Sequence, residues 1–262
     1  MHERHFIDHA MIFREISPEL ASGVIFYIHG LGESSLCFQK LMSNQAFSDY
    51  RQIAPDLPGY GRTPWMDQKF SVFDYADHVG KWLSKCTFTN IVVIGHSMGG
   101  VIGQILCERY PETVNAFINV EGNISIGDCA YSGIAASQSI DAFISDGFDA
   151  LRQTCYEQGN HDLALRGYYT SLRFADPRQF YKNSVDLVGV SREQTMAKRF
   201  SELRLRKRYI AGSPNGICRQ SLNLLDHSEC PVSIIEDSGH WPFLDQEKRF
   251  IEIVKIFLDS GF

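Results

Sequence analysis

The most constraining feature of this chain is a serine set in a glycine-rich turn, Gly-His-Ser-Met-Gly at residues 95–99. A β-branched apolar run precedes the turn at residues 91–94, and a segment with helical periodicity follows it at residues 101–110. The two glycines let a strand and a helix approach closely at a sharp bend, which lifts the hydroxyl of Ser97 clear of the sheet. The N-terminus of the helix favours negative charge beside that hydroxyl. The pattern therefore predicts a strand–turn–helix unit that presents a nucleophilic serine.

Short apolar runs like the one before Ser97 recur along the chain, at residues 24–28, 91–94, 117–120 and 232–235. Their apolar character is continuous rather than alternating, which is typical of strands buried on both faces of a parallel sheet. Helical periodicity lies between and after them, at residues 73–83, 101–110 and 248–258. We therefore predict an α/β fold with right-handed crossover connections.

The interval from residue 123 to residue 203 has a different pattern. It lacks a strand-like run, contains helix-like stretches at residues 139–156, 162–172 and 192–203, and is rich in aromatic residues. We predict a helical insertion at residues 123–203 between two parts of one core, residues 1–122 and 204–262. The aromatic side chains either form the insertion's own small core or line a pocket that opens onto the sheet.

The composition of the chain indicates which binding partners and which cellular compartment to expect. The 25 Lys and Arg residues are outnumbered by 31 Asp and Glu residues, so a general role with nucleic acid or an anionic membrane is not expected. No apolar run is long enough to span a membrane. The seven cysteines are odd in number, and no secretory signal is evident, which favours a cytoplasmic protein with reduced thiols. The histidines near the N-terminus lack ligand spacing, so no metal site is predicted, and the oligomeric state stays open.

A serine hydroxyl needs a general base to become a good nucleophile. His240 is the best candidate, because it lies in a loop between the last strand-like run and the C-terminal helix. That position places it at the same sheet edge as Ser97. His96 is adjacent to Ser97, but a neighbour in a sharp turn points elsewhere, and we interpret it as a packing residue.

Further landmarks occur in a characteristic order along the chain. They are His29-Gly30 after the third strand, Asp-Leu-Pro-Gly-Tyr-Gly-Arg at residues 56–62 after the fourth, the turn at Ser97, and Gly239-His240-Trp241. With these landmarks the chain resembles the α/β-hydrolase family over essentially its whole length. The resemblance implies an eight-stranded, mostly parallel sheet flanked by helices, with residues 123–203 as a helical cap.

The same resemblance implies a set of site residues around Ser97. The family's oxyanion hole consists of two backbone N–H groups, which here belong to Leu31 and Met98. A substrate pocket is expected beside His29, Gly30 and Trp241. No cofactor is implied.

The acidic partner of the histidine departs from the common family pattern. The family usually places its acid after the seventh strand, three residues beyond a glycine, and here that position is Asn215. An amide cannot stabilise an imidazolium as a carboxylate does. Glu121 follows the sixth strand, the position from which some relatives, haloalkane dehalogenases among them, take their acid. We predict Glu121 as the acid; Asp237 is a weaker candidate, and a merely structural role for Glu121 stays open.

These residues together predict a serine hydrolase that cleaves a small or medium carboxylic ester, or a thioester, through an acyl-enzyme. A serine nucleophile argues against the epoxide hydrolase and haloalkane dehalogenase relatives, whose chemistry needs a carboxylate. Two alternatives stay open. One is hydrolysis of a carbon–carbon bond in a vinylogous diketone, and the other is a ligand-binding, receptor-like protein with weak activity.

Overall fold

The computed structural model describes residues 2–261, which contain one eight-stranded sheet. Its strands, numbered along the chain, are β1 (His2–Asp8), β2 (Met11–Ser17), β3 (Gly23–Ile28), β4 (Tyr50–Asp56), β5 (Ile91–His96), β6 (Ala116–Val120), β7 (Arg206–Asn215) and β8 (Val232–Gly239). Their spatial order is β1-β2-β4-β3-β5-β6-β7-β8. The pairs β1–β2 and β2–β4 are antiparallel, and all other neighbours are parallel. The predicted mostly parallel, eight-stranded sheet is confirmed.

Residues 2–261 also contain twelve α-helices. They are α1 (Gln39–Met42), α2 (Val72–Leu83), α3 (Met98–Arg109), α4 (Ala130–Ala136), α5 (Ile140–Ala142), α6 (Phe148–Gln158), α7 (Leu163–Leu172), α8 (Pro177–Glu193), α9 (Met196–Glu202), α10 (Arg219–His227), α11 (Pro242–Asp245) and α12 (Glu247–Asp259). Short 3-10 turns occupy residues 35–38, 45–47 and 126–128, and a π-helical turn spans Phe143–Gly147. None of the helices within this part of the chain combines the length and apolar character that crossing a membrane requires.

The central strands are buried along their whole length, as their continuous apolar sequences predict. Every residue of β3, β5 and β6 is buried. These strands are parallel, so their carboxyl ends meet at one edge of the sheet, where binding sites of open α/β sheets form. The chain leaves this edge at His29, Ser97 and Glu121.

The resemblance implies two strands before β3, and the N-terminal hairpin β1–β2 supplies them. Aromatic stacking holds it to the sheet: the rings of Phe6 and Phe13 are 4.9 Å apart, and that of Phe13 is 4.4 Å from Trp82 of α2. Charged residues such as Arg4 and Glu15 interrupt both strands, so neither has the continuous apolar run that marks β3 and β5.

Between β6 and β7 the regular structure is entirely helical, from α4 to α9. The helix expected at residues 192–203 is divided, because α8 ends at Glu193 and Gln194 adopts a left-handed φ of 53°. The aromatic residues serve both of the uses considered. Phe143, Phe148 and Phe180 form a buried cluster within the helical segment. Tyr168 instead packs 5.5 Å from Trp241, towards the sheet edge.

Gly99 and Gly189 provide a matched test of this architecture. A Cβ at Gly99 would lie 2.0 Å from the carbonyl oxygen of Ile28, whereas one at the exposed Gly189 of α8 would meet nothing within 4 Å. We expect Gly99→Ala to lower the free energy of unfolding by about 1–3 kcal/mol or more through overpacking. Gly189→Ala should raise it by about 1 kcal/mol, because alanine is the better helix former. Urea denaturation followed by circular dichroism measures both, and equal effects would contradict the close approach at Gly99.

Candidate active site

Ser97 lies in a strained turn between β5 and α3. Its φ of 54° and ψ of −118° are unfavourable for a residue with a side chain, at a cost of about 1–3 kcal/mol. Two backbone hydrogen bonds stabilise this strained conformation. The Ser97 N–H donates to the carbonyl of Val120 at 2.8 Å, and the Ser97 carbonyl accepts from the N–H of Gly100 at 2.8 Å. A Cβ at Gly95 would lie 2.2 Å from the carbonyl oxygen of Gly99, so only glycine fits there. The structure thus has the sharp turn that the sequence predicts.

The buried carboxylate of Glu121 contacts the imidazole of His240. Glu121 Oε2 lies 3.2 Å from His240 Nδ1, and Glu121 Oε1 accepts a hydrogen bond from the Gly212 N–H at 2.6 Å. The Glu121 side chain is fully buried, whereas 29% of the His240 side chain is exposed. A carboxylate acceptor at Nδ1 places the ring proton there, so that Nε2 of His240 is free to accept a proton.

The other two positions considered for the partner of His240 are those of Asn215 and Asp237. Asn215 is exposed at the end of β7, and Asp237 is exposed in β8. Among the hydrogen bonds of residues 2–261, neither side chain is joined to His240. Of the three positions considered, Glu121 is therefore the one whose side chain reaches the ring.

Two backbone N–H groups flank the serine. Met98 is the first residue of α3, so its N–H has no acceptor within the helix. Leu31 lies in the loop after β3, and a Cβ at the preceding Gly30 would be 3.1 Å from the Cβ of Ser97. The structure therefore brings the loop that carries Leu31 against Ser97.

A cavity of about 840 Å³ opens beside Ser97 and His240. Gly30, Leu31 and Trp241 line it as well, together with Tyr131 and Tyr168 of the helical segment. Its wall thus combines residues from the sheet edge with residues from α4 and α7.

His29 is fully buried and is not among the residues that line this cavity. Its Nδ1 donates to the Gly30 carbonyl at 2.8 Å, and its Nε2 accepts from the Leu57 N–H at 3.0 Å. An imidazole that accepts at one nitrogen is neutral, and burial lowers the pKa of His29. His29 therefore holds the loop after β3 from behind the cavity wall.

The charged lining of the cavity is acidic. Four aspartates contribute to it, Asp128, Asp162, Asp237 and Asp245, whereas no Lys or Arg of residues 2–261 does. Burial raises the pKa of Asp245, and the charge of Asp162 adds to the rise. This part of the chain offers no cluster of three or more His, Cys, Asp or Glu residues suited to hold a metal ion.

A second buried carboxylate, on Glu33, was not identified from the sequence. Glu33 Oε2 lies 2.9 Å from His96 Nδ1, and His96 Nε2 donates to the carbonyl of His240 at 2.8 Å. The interpretation of His96 as a packing residue therefore misses its hydrogen bonds. The one sequence signal for Glu33 is an acidic residue three positions after Gly30, within a stretch that is otherwise mostly apolar.

Comparison with known proteins identifies the family. A family model described as the alpha/beta hydrolase fold matches residues 23–230, well over half of the chain. The chain belongs to the α/β-hydrolase family. The matched range includes Ser97 and Glu121 and ends before His240.

Individual α/β-hydrolase relatives are distant. An uncharacterized protein of Mycobacterium tuberculosis is 25% identical over 258 residues, which cover 90% of this chain and 75% of the relative. An esterase of Thermogutta terrifontis has a TM-score of 0.75 at 14% identity, with 99% of both chains covered. The N-acyl homoserine lactonase AidH has a TM-score of 0.75 at 19% identity, covering 99% of this chain and 96% of its own. At these identities the structural likeness shows the shared fold, and the family supports a hydrolase.

Proposed function

We propose that the protein is a serine hydrolase of small or medium carboxylic esters, with Ser97, His240 and Glu121 as its catalytic triad. The contact between the buried Glu121 carboxylate and Nδ1 of His240 carries this proposal. A histidine oriented by a carboxylate, at the sheet edge where the strained turn presents Ser97, supports the assignment of His240 as the base and Glu121 as the acid. Nucleophile, acid and base follow the chain order Ser, Glu, His that is usual in this family.

In the proposed reaction, Ser97 Oγ attacks the acyl carbonyl carbon while His240 Nε2 takes its proton. Glu121 stabilises the resulting imidazolium, and the N–H groups of Leu31 and Met98 bind the developing oxyanion. His240 then protonates the leaving alkoxide. In the second half of the reaction His240 and Glu121 activate a water molecule, which attacks the acyl-enzyme and releases the carboxylic acid product. The hydrogen bonds of residues 2–261 do not include one between Ser97 and His240; in this class of enzyme that contact tightens when substrate binds.

The shape of the cavity supports a compact substrate. Its volume of about 840 Å³ lies in the range of small-molecule sites, roughly 300–1,000 Å³. Tyr131, Tyr168 and Trp241 offer aromatic surface to an apolar acyl or aryl group. We propose that residues 123–203, which supply both tyrosines, act as the cap over the site.

The charge of the cavity favours esters over acyl-coenzyme A thioesters. A coenzyme A thioester carries several phosphate charges, and such groups are bound by Lys, Arg or helix N-termini. Aspartates line this cavity, and no Lys or Arg of residues 2–261 joins them. We therefore propose an uncharged ester, which includes a lactone, as the substrate. The complete set of nucleophile, base and acid argues for an enzyme rather than a ligand-binding protein, and carbon–carbon bond hydrolysis becomes an outcome of the substrate tests.

Glu121→Gln tests the acid assignment. The amide cannot accept the Nδ1 proton of His240, so the imidazole loses both its orientation and the stabilisation of its charged form. We expect kcat for p-nitrophenyl butyrate to fall about 10⁴-fold, as in the comparable change in a protease triad, with little change in KM. Initial rates over a range of ester concentrations measure both constants.

Two control variants accompany Glu121→Gln. Asn215→Ala should leave kcat unchanged, because the Asn215 side chain makes no hydrogen bond to His240 among the described residues. Ser97→Ala should abolish both ester hydrolysis and labelling by a fluorophosphonate. Wild-type kcat in Glu121→Gln would show that the acid lies elsewhere, and retained hydrolysis in Ser97→Ala would contradict the serine mechanism.

Substrate charge provides a separate test. At neutral pH we expect kcat/KM for p-nitrophenyl butyrate to exceed that for p-nitrophenyl hemisuccinate by about tenfold or more, equivalent to at least about 1.4 kcal/mol of charge repulsion. Asp237→Asn should reduce the difference, since Asp237 is exposed at the cavity and asparagine tolerates its left-handed φ of 54°. A preference for the anionic ester would contradict the proposed selectivity.

A further inference from the structure

Beneath the proposed triad lies a buried pair of ionisable side chains with no place in the reaction described above. Glu33 is 2% exposed and His96 is 1% exposed, and Glu33 Oε2 lies 2.9 Å from His96 Nδ1. Burying two such groups is unfavourable unless each is fully hydrogen-bonded. Their partners therefore show what the pair does.

The hydrogen-bond partners of the two side chains favour a charged pair. His96 Nε2 faces the carbonyl oxygen of His240 at 2.8 Å, and because a carbonyl only accepts, Nε2 carries a proton. Glu33 also accepts from the Gly30 N–H and from Trp241 Nε1, each at 2.6 Å. Acceptance of these two N–H groups stabilises the ionised form of Glu33, and because an ionised carboxylate only accepts, His96 Nδ1 carries a proton too.

The pKa directions agree with this assignment. Burial by itself would raise the pKa of Glu33, but the charge of His96 and the three hydrogen bonds lower it to about 2. Burial likewise works to lower the pKa of His96, and the charge and hydrogen bond of Glu33 outweigh it and raise that pKa above its ordinary value.

The pair connects three segments that meet at Ser97. Glu33 holds the N–H of Gly30, the residue before the oxyanion donor Leu31. His96 is the residue before Ser97, and it holds the backbone of His240. The contacts of Glu33 with His96 and Trp241, and of His96 with His240, join residues 63 to 208 positions apart in the chain. The pair is thus placed to set the distances between nucleophile, oxyanion donor and base.

We propose that Glu33 and His96 are positioning residues, a buried ion pair that holds the Leu31 N–H and the His240 imidazole in register with Ser97. They act through Gly30 and His240 rather than on the reacting atoms. This inference rests on the proposed ester hydrolysis. Since the pair aligns groups that stabilise the transition state, its loss should lower kcat more than it changes KM.

Glu33→Gln tests the proposal. The new NH₂ group must face either Trp241 Nε1–H or the N–H groups of Gly30 and His96, so that donor meets donor. We expect kcat for p-nitrophenyl butyrate to fall about 10²-fold, the effect of a small misplacement of reacting groups, with KM nearly unchanged. Wild-type kcat in a folded Glu33→Gln variant would overturn the proposal while leaving the triad intact. Absence of hydrolysis by the wild-type protein would instead contradict the proposed function.

The double variant Glu33→Gln/Trp241→Phe separates positioning from general damage. Phenylalanine removes one donor, so the NH₂ group can face the ring while the amide oxygen accepts from Gly30 and His96. We expect the kcat of the double variant to exceed that of Glu33→Gln. Trp241→Phe alone measures how much activity is lost because the indole no longer lines the cavity. A kcat at or below that of Glu33→Gln would contradict positioning through Gly30 and His96. If Glu33→Gln does not fold, ¹⁵N NMR of wild-type His96 decides: a neutral ring would overturn the proposal, and protons on both nitrogens would support it.

The pH dependence of stability provides a second, independent prediction. The lowered pKa of Glu33 contributes stability above its ordinary value of 4.5, which is lost as the pH falls towards about 2. The raised pKa of His96 contributes stability below its ordinary value of 6.5, which is lost as the pH rises through the folded value. The Tm difference between wild type and Glu33→Gln should therefore be largest between about pH 4.5 and 6.5.

Other titratable groups face the pair, namely His29, Cys37, Tyr168, His240 and Glu121. Burial lowers the pKa of His29 and raises those of Cys37 and Tyr168, which keeps all three neutral in this window. Glu121 and His240 are the same in both proteins. A Tm difference that is constant from pH 4 to pH 8 would contradict the charged pair.

Discussion

The close approach of α3 to β3 and β5 is the contact on which the rest of the site depends. A Cβ at Gly99 would lie 2.0 Å from the carbonyl oxygen of Ile28, so the helix begins almost against the backbone of the neighbouring strand. This contact forces the strained turn at Ser97 and brings Gly30 beside it. The positions of the proposed nucleophile and the proposed oxyanion donors thus follow from one backbone packing arrangement, which only glycine permits.

Two buried carboxylates organise the polar side of the same sheet edge. Glu121 holds the imidazole ring of His240, and Glu33 holds its backbone indirectly through His96. Each carboxylate also accepts from a backbone N–H, that of Gly212 for Glu121 and that of Gly30 for Glu33. These bonds offset the cost of burying charge in an otherwise apolar region. Glu121 lies behind the partly exposed His240, whereas Glu33 and His96 reach the cavity lining beside Ser97.

Much of the fold was predictable because the central strands are buried on both faces and therefore have continuous apolar sequences. Ser97 and His240 were found from local motifs, and Glu121 from its place after the sixth strand. Glu33 and the charge of His96 were not found, since their partners lie in other segments. Tyr168 also gave no local sign that it faces the cavity, because helical periodicity marks a buried face without saying what covers it.

The amino-acid sequence by itself determined the order of strands and helices, the sharp turn at Ser97 and the set of candidate catalytic residues, since each depends on residues that are near neighbours in the chain. The tertiary structure decided which carboxylate meets which imidazole. The Glu121–His240 and Glu33–His96 contacts join residues 119 and 63 positions apart. Such contacts depend on the spatial order of the strands, in which β5 and β6 lie between β3 and β7, and no local pattern encodes that order.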